Sequence, residues 1–297
     1  MKRLILCLMV MLLAAPAWAV YEDFNYGTGV WPATSCSRLE DKPAPSFTRL
    51  IDSVPDKDGR YLQDSAALGS FPLSPASEDG WVGAPKNTTS GGVVYYRWDA
   101  GAFQAVEGEQ YVVESKVMGV TWQPYSDTWN AGFHGELYIT QIPETGGDAW
   151  ANYNKDAGMS NCNSNWGKID ILVNNTAYPH DFKPGGVVTP MAQKIWYEFK
   201  IVLDSVPGAG NDTSTMYAKR TGVDPDWVLV SGPNLLPDLD TTAANNVPVI
   251  GMYQWYTTGT HGYNHAYGVV DHLSQIPEPA TVALLGLGAV ALLRRRK

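Results

Sequence analysis

The sequence predicts an all-β fold, an antiparallel two-sheet sandwich spanning residues 20–275, held between an N-terminal signal helix and a C-terminal hydrophobic helix. Three observations lead there. Short runs rich in Val, Ile, Tyr and Trp recur along the chain, each bounded by Gly, Pro, Asn or Asp. The run from Ile195 to Asp204 alternates apolar and polar residues with the period of two that a half-buried strand requires. No long segment between the two ends repeats apolar residues at helical spacing, so the crossover helices of a parallel sheet are missing.

The elements follow in chain order. Lys2 and Arg3 precede an apolar run from Leu4 to Ala15, and Ala17-Trp18-Ala19 places small residues where a signal peptidase reads them, so cleavage is expected after Ala19. The run is short for a bilayer span and no stop-transfer charge follows it. Cys7 lies inside the apolar run and not at its end, which excludes a lipoprotein. The segment 34–85 is rich in Pro, Ser, Asp and Gly, with apolar patches only at Phe47–Ile51 and Tyr61-Leu62. It reads as long loops with edge strands wrapped on the sandwich.

Strands are expected at 93–98, 110–120, 135–140, 168–173, 195–204, 215–219, 227–230, 247–255 and 267–273. In the clearest of them Ile195, Tyr197, Phe199, Ile201 and Leu203 share one face, while Trp196, Glu198, Lys200 and Asp204 share the other. Tyr21-Glu22-Asp23-Phe24 opens the mature chain, Gly208 to Asp212 forms a turn after the central strand, and Gly268 to Leu273 closes the domain. This order of elements resembles a concanavalin or laminin-G-like jelly roll. The resemblance implies that the first and last strands are neighbours. Tandem immunoglobulin-like sandwiches give a similar profile.

The chain then changes character. Pro277-Glu278-Pro279 blocks both helix and sheet, so the folded domain is expected to end before it. Residues 282–293 are uncharged and apolar, and Arg294, Arg295, Arg296 and Lys297 follow as a basic stop that stays on the cytoplasmic side. Residues 276–297, with a transmembrane segment at 281–293, resemble the PEP-CTERM sorting signal of exported proteins in Gram-negative, exopolysaccharide-making bacteria. The resemblance implies an exosortase as partner and a destination in the envelope, at the surface or in the extracellular matrix. It fixes a route without fixing an activity.

The whole chain carries a formal charge of −9. Without the two terminal segments it keeps 15 of its 21 basic and 29 of its 30 acidic residues, a balance of −14 that argues against nucleic acid or an anionic membrane surface as a partner, so membrane contact is expected only through the tail before processing. Cys36 and Cys162 are the two cysteines left after signal removal. In an oxidising compartment they form a disulfide if the fold brings them together. No CxxC spacing points to zinc.

The chemistry-bearing residues are few. Paired acids at alternating strand positions, as in glycosidases on this scaffold, are absent, and Glu114, Glu136 and Glu198 read as solvated strand faces. His261, His265 and His272 lie near Asp271, but a spacing of four aligns ligands only on a helix, and the sequence there is not helical. A structural calcium ion is the cofactor with the better case. It would use Glu22, Asp23 and Asp271 if the end strands pair, against the plainer reading of solvent-facing acids. Aromatic residues in polar loops are the most suggestive feature: Trp122, Tyr125 and Trp129 among Pro, Ser, Asp and Asn, with Trp255 later. Flat rings beneath sugar C–H faces, supplemented by amide and carboxylate hydrogen bonds, bind glycans. The sequence therefore predicts an exported, non-catalytic sandwich that contacts exopolysaccharide. A polysaccharide hydrolase or lyase on the same scaffold and a purely structural envelope component are the alternatives.

Overall fold

The computed structural model describes residues 19–22, 24, 47–51, 60–62, 81–83, 92–121, 134–142, 155–160, 168–174, 176–192, 195–208, 210–236, 239, 245–257 and 264–277. They form fifteen strands: β1 (Val20–Glu22), β2 (Phe47–Ile51), β3 (Arg60–Leu62), β4 (Trp81–Gly83) and β5 (Gly92–Trp98) come first. Next are β6 (Gln110–Thr121), β7 (His134–Ile142), β8 (Lys155–Ser160), β9 (Ile169–Val173) and β10 (Thr176–His180). The last are β11 (Tyr197–Asp204), β12 (Thr213–Arg220), β13 (Val228–Leu235), β14 (Asn245–Thr257) and β15 (Asn264–Pro277). All pairings are antiparallel.

The strands divide into two sheets joined at one hairpin. β14 and β15 pair only over Gln254–Thr257 and Asn264–Tyr267. Beyond that hairpin β14 runs between β5 and β7 in a first sheet ordered β2-β5-β14-β7-β8-β9-β10. β15 instead runs beside β6 in a second sheet, with β11, β12 and β13 on one side and β1 and β4 on the other. The expected pairing of the first and last strands is present, Val20 opposite Gln275 and Glu22 opposite Leu273.

The sheets close on a common core because each strand turns its apolar set inward. β11 alternates buried and half-buried residues along its length, so Tyr197, Phe199, Ile201 and Leu203 enter the core as the sequence pattern requires. They meet Met216 and Ala218 of β12, Val113 and Val117 of β6, and Leu137, Ile139 and Ile250 of the first sheet in one cluster. Burying each such side chain contributes about 1.5–3 kcal/mol.

Three features depart from expectation. Residues 155–160 and 176–180 are strands that the sequence pattern did not mark. β15 continues through Ile276 and Pro277, which lies opposite Tyr111, two residues past the boundary read from the prolines. A proline closing a strand forfeits only a terminal donor. Asp271 and Glu22 are not solvent-facing: they are 5% and 9% exposed. Asp271 lies 4.0 Å from Lys116, and Glu22 Oε1 accepts from the Phe24 N–H at 2.8 Å. A bulge at His272, in left-handed conformation with φ of 47°, separates Asp271 from Leu273, and its ring meets Tyr21 edge-on at 4.5 Å.

Candidate ligand-contact site around Trp227

The second sheet turns a mixed charged and aromatic face outward. Its cross-strand rows follow from register. Lys116, Glu198 and Lys219 form one row, and Glu114, Lys200 and Tyr217 the next. Opposite charges therefore face each other on adjacent strands. Lys219 Nζ lies 2.9 Å from Glu198 Oε2. Trp227, just before β13, folds over the end of both rows, with Lys200 Nζ 4.2 Å and Lys219 Nζ 4.7 Å from its ring centroid. Lys200 also lies 4.9 Å over Tyr217. Each contact places an ammonium on the negative face of a ring.

Burial raises the Glu114 carboxyl above the ordinary carboxylate range, and Glu198 adds to the rise while Lys200 and Lys219 oppose it. Glu114 and Glu198 are diagonal neighbours on adjacent strands, since Glu114 faces Lys200 and Glu198 faces Lys116. The pair spans two strands, so no alternation of acids along a single strand announces it.

Beside Trp227 is a groove of about 390 Å³ lined by Lys183, Pro184, Gly185, Asp224, Pro225, Asp226, Trp227 and Val228. Its walls are two loops, 181–192 before β11 and 221–227 between β12 and β13, and local bonds fix both. The Thr189 N–H donates to the Phe182 carbonyl, the Ala192 N–H to Tyr197 Oη, and the Thr221 N–H to the Trp196 carbonyl. Gly185 and Gly186 turn the first loop at φ of 61° and 82°, which other residues rarely adopt. In the second loop Arg220 grips Asp224 with two parallel bonds, Nε to Oδ2 at 2.9 Å and Nη2 to Oδ1 at 2.6 Å. Those bonds hold the Asp224 carboxyl below its usual range. Lys183 and Lys168 do the same for Asp181, at 3.2 and 3.3 Å. The groove thus offers an indole wall, an exposed carboxylate at Asp226, a lysine and backbone groups.

Of the sequence-predicted glycan residues, Trp122, Tyr125 and Trp129 lie outside the described residues, as do Asp23, Cys36, Cys162 and His261. Trp255 is placed by its backbone in β14, opposite Ala266, and His265 in β15 opposite Tyr256. β6 reaches Thr121 at the same end of the sandwich as Tyr197 and Arg220, which also bears the groove.

Glu136 corrects an expectation. It is 5% exposed and not solvated, on a face of the first sheet where Tyr95, Tyr138 and Thr140 are buried with it. Glycines let these side chains lie close to the backbone: a Cβ on Gly251 would stand 2.5 Å from Tyr95 and 2.6 Å from Glu136 Oε2. Among the described residues no three His, Cys, Asp or Glu side chains gather as metal ligands.

Comparison with known proteins bears on the chain's last segment. Residues 275–297 match the PEP-CTERM protein-sorting motif. The motif makes this an exported bacterial envelope protein and implies exosortase processing. It begins at Gln275, inside β15, so the sorting motif and the folded domain share residues. No curated protein sequence matches the chain. Among solved structures, lectin II from Ulex europaeus aligns at 9% identity and TM-score 0.45, covering 88% of this chain and 100% of the lectin. Peanut lectin aligns at the same identity and TM-score, over 88% and 99%. A GH131 β-glucanase catalytic domain from Podospora anserina aligns at 10% identity and TM-score 0.39, over 73% and 78%. At these values the likeness assigns no activity.

Proposed function

We propose that this exported protein, delivered by its N-terminal signal and sorted by its PEP-CTERM motif, is a non-catalytic surface or matrix module that contacts exopolysaccharide through the Trp227 groove. The observation that carries the reading is the indole of Trp227, which walls an open groove beside a carboxylate and a lysine. Pyranose rings stack on such faces, and their hydroxyls require polar groups of this kind at the edge.

A second reading, a polysaccharide hydrolase, draws on the diagonal pair Glu114 and Glu198. One carboxyl is raised by burial while the other is tied to Lys219, the division of roles that acid catalysis uses. That tie also favours a structural lattice, because Glu198 is engaged by a cation and not presented to a ligand. Titrating the purified protein with a panel of polysaccharides while assaying reducing ends separates the two. Saturable binding without product, weakened about 5–10-fold by Trp227→Ala, is expected. Product release abolished by Glu114→Gln establishes the hydrolase, and the absence of binding to any glycan leaves a structural envelope component.

A further inference from the structure

The two terminal segments leave the sandwich side by side. β15 runs from the groove-bearing end to the opposite end, where Pro277 lies across from Tyr111. β1 is antiparallel to it, so Val20 sits at that same end, opposite Gln275. The residues before Val20 and those after Pro277 therefore depart from adjacent strands at one end of the domain.

That end is a tied plate, built from the segments before β6 and after β11. The Gly108 N–H donates to the Ser205 carbonyl at 2.6 Å, the Ser205 N–H to the Glu109 carbonyl at 3.0 Å, and the Gly208 N–H to Glu107 Oε1 at 3.5 Å. Tyr111 Oη, one strand from the exit, receives the Val106 N–H at 3.0 Å and donates to Glu109 Oε2 at 2.9 Å. The plate shows Val106 and Val206 to solvent, at 52% and 40% exposure.

Only Glu278, Pro279 and Ala280 separate Pro277 from the apolar tail beginning at Thr281. Four steps of fully extended chain reach about 14 Å, and the headgroup layer on one side of a bilayer takes up roughly 5–8 Å of that. With the tail inserted, only about 6–9 Å of chain remains between Pro277 and the headgroup surface, so this end of the domain is held next to it. We propose that the plate formed by residues 104–109 and 205–208 docks on the phospholipid surface while the sorting tail is in place, holding the Trp227 groove at the far end, away from the membrane. Zwitterionic headgroups suit the plate, because Glu107 and Glu109 face their ammonium groups while Val106 and Val206 meet the interface. This orientation rests on strand register and tail length and is independent of what the groove binds.

Full-length protein in phosphatidylcholine vesicles doped with a headgroup-diazirine lipid tests it. After photolysis, peptide mapping is expected to find label in the tail and in the peptides covering 104–109 and 205–208, and none in 221–228. A Gly/Ser spacer of about 12 residues inserted after Pro277 should lower the plate's labelling severalfold and leave the tail's unchanged. Labelling of the tail without the plate, equal labelling of 221–228, an unlabelled tail, or plate labelling indifferent to the spacer would each overturn the proposal.

Discussion

Asp212 is withdrawn from solvent just before β12, and its carboxylate accepts the Val206 N–H at 2.6 Å and the Leu239 N–H at 2.5 Å. Those amides come from two different loops, so one side chain pins both. Asp212→Ala leaves both donors without that acceptor and is expected to lower stability by about 2–4 kcal/mol in chemical denaturation, with Asp212→Asn losing less. Glu114 behaves oppositely. Burial raises its folded pKa above the unfolded one, so the stabilisation linked to its proton is fully present below the unfolded pKa and is lost as pH rises through the folded one. Glu114→Gln should therefore melt above the wild type at neutral pH, and the gap should close in acid; a gap constant with pH contradicts the assignment. At this scale the candidate site was only partly legible. Trp227 follows Asp224-Pro225-Asp226, the same aromatic-in-polar-turn signal that singled out Trp122 to Asn130, yet its β-propensity led it to be read as the opening of a strand. The ammoniums over its ring come from strands that register alone brings alongside, and no local pattern announces them.

Strand β11 is the element the sequence states most clearly, and the structure shows why: its alternating side chains meet a different neighbour on each face. Phe199→Ala removes a fully buried ring from the common core and is expected to cost about 3–5 kcal/mol. A loss below about 1 kcal/mol would place the ring outside a packed core. β8 and β10 escaped notice for opposite reasons. β8 is Lys-Asp-Ala-Gly-Met-Ser, poor in strand formers, because Gly158 must lie under Tyr138: a Cβ there would come within 2.0 Å of the ring. β10 is an edge strand exposed along nearly its whole length and containing Pro179, so it has no buried face to produce a pattern. Gly232 in β13 is a further position dictated by contact, with φ of 120° and a notional Cβ 2.7 Å from the Ser214 carbonyl oxygen. Gly232→Ala should disturb the β12–β13 ladder, read as faster amide exchange across 213–220 and 228–235 with the β7–β14 pairing unaffected.

The whole molecule has a polarity that neither residue nor element shows alone. Val20 and Pro277 lie at one end, while the Trp227 groove and the paired strand ends at Thr121 and Ala266 occupy the other. The two-sheet architecture was legible because apolar periodicity records which faces are buried, whereas the end-strand pairing was implied only by the jelly-roll resemblance. The polar face around Glu136 was not legible, because a strand buried on both sides by tertiary contacts looks, in one dimension, like a half-solvated one. The acidic mature chain suits neutral or cationic partners at the distal end. Hydrogen exchange of the protein with and without a bound exopolysaccharide tests the central claim most directly. The account predicts that protection appears in residues 183–186 and 221–228 and disappears in Trp227→Ala; protection confined to other segments, or unchanged by that substitution, would contradict it.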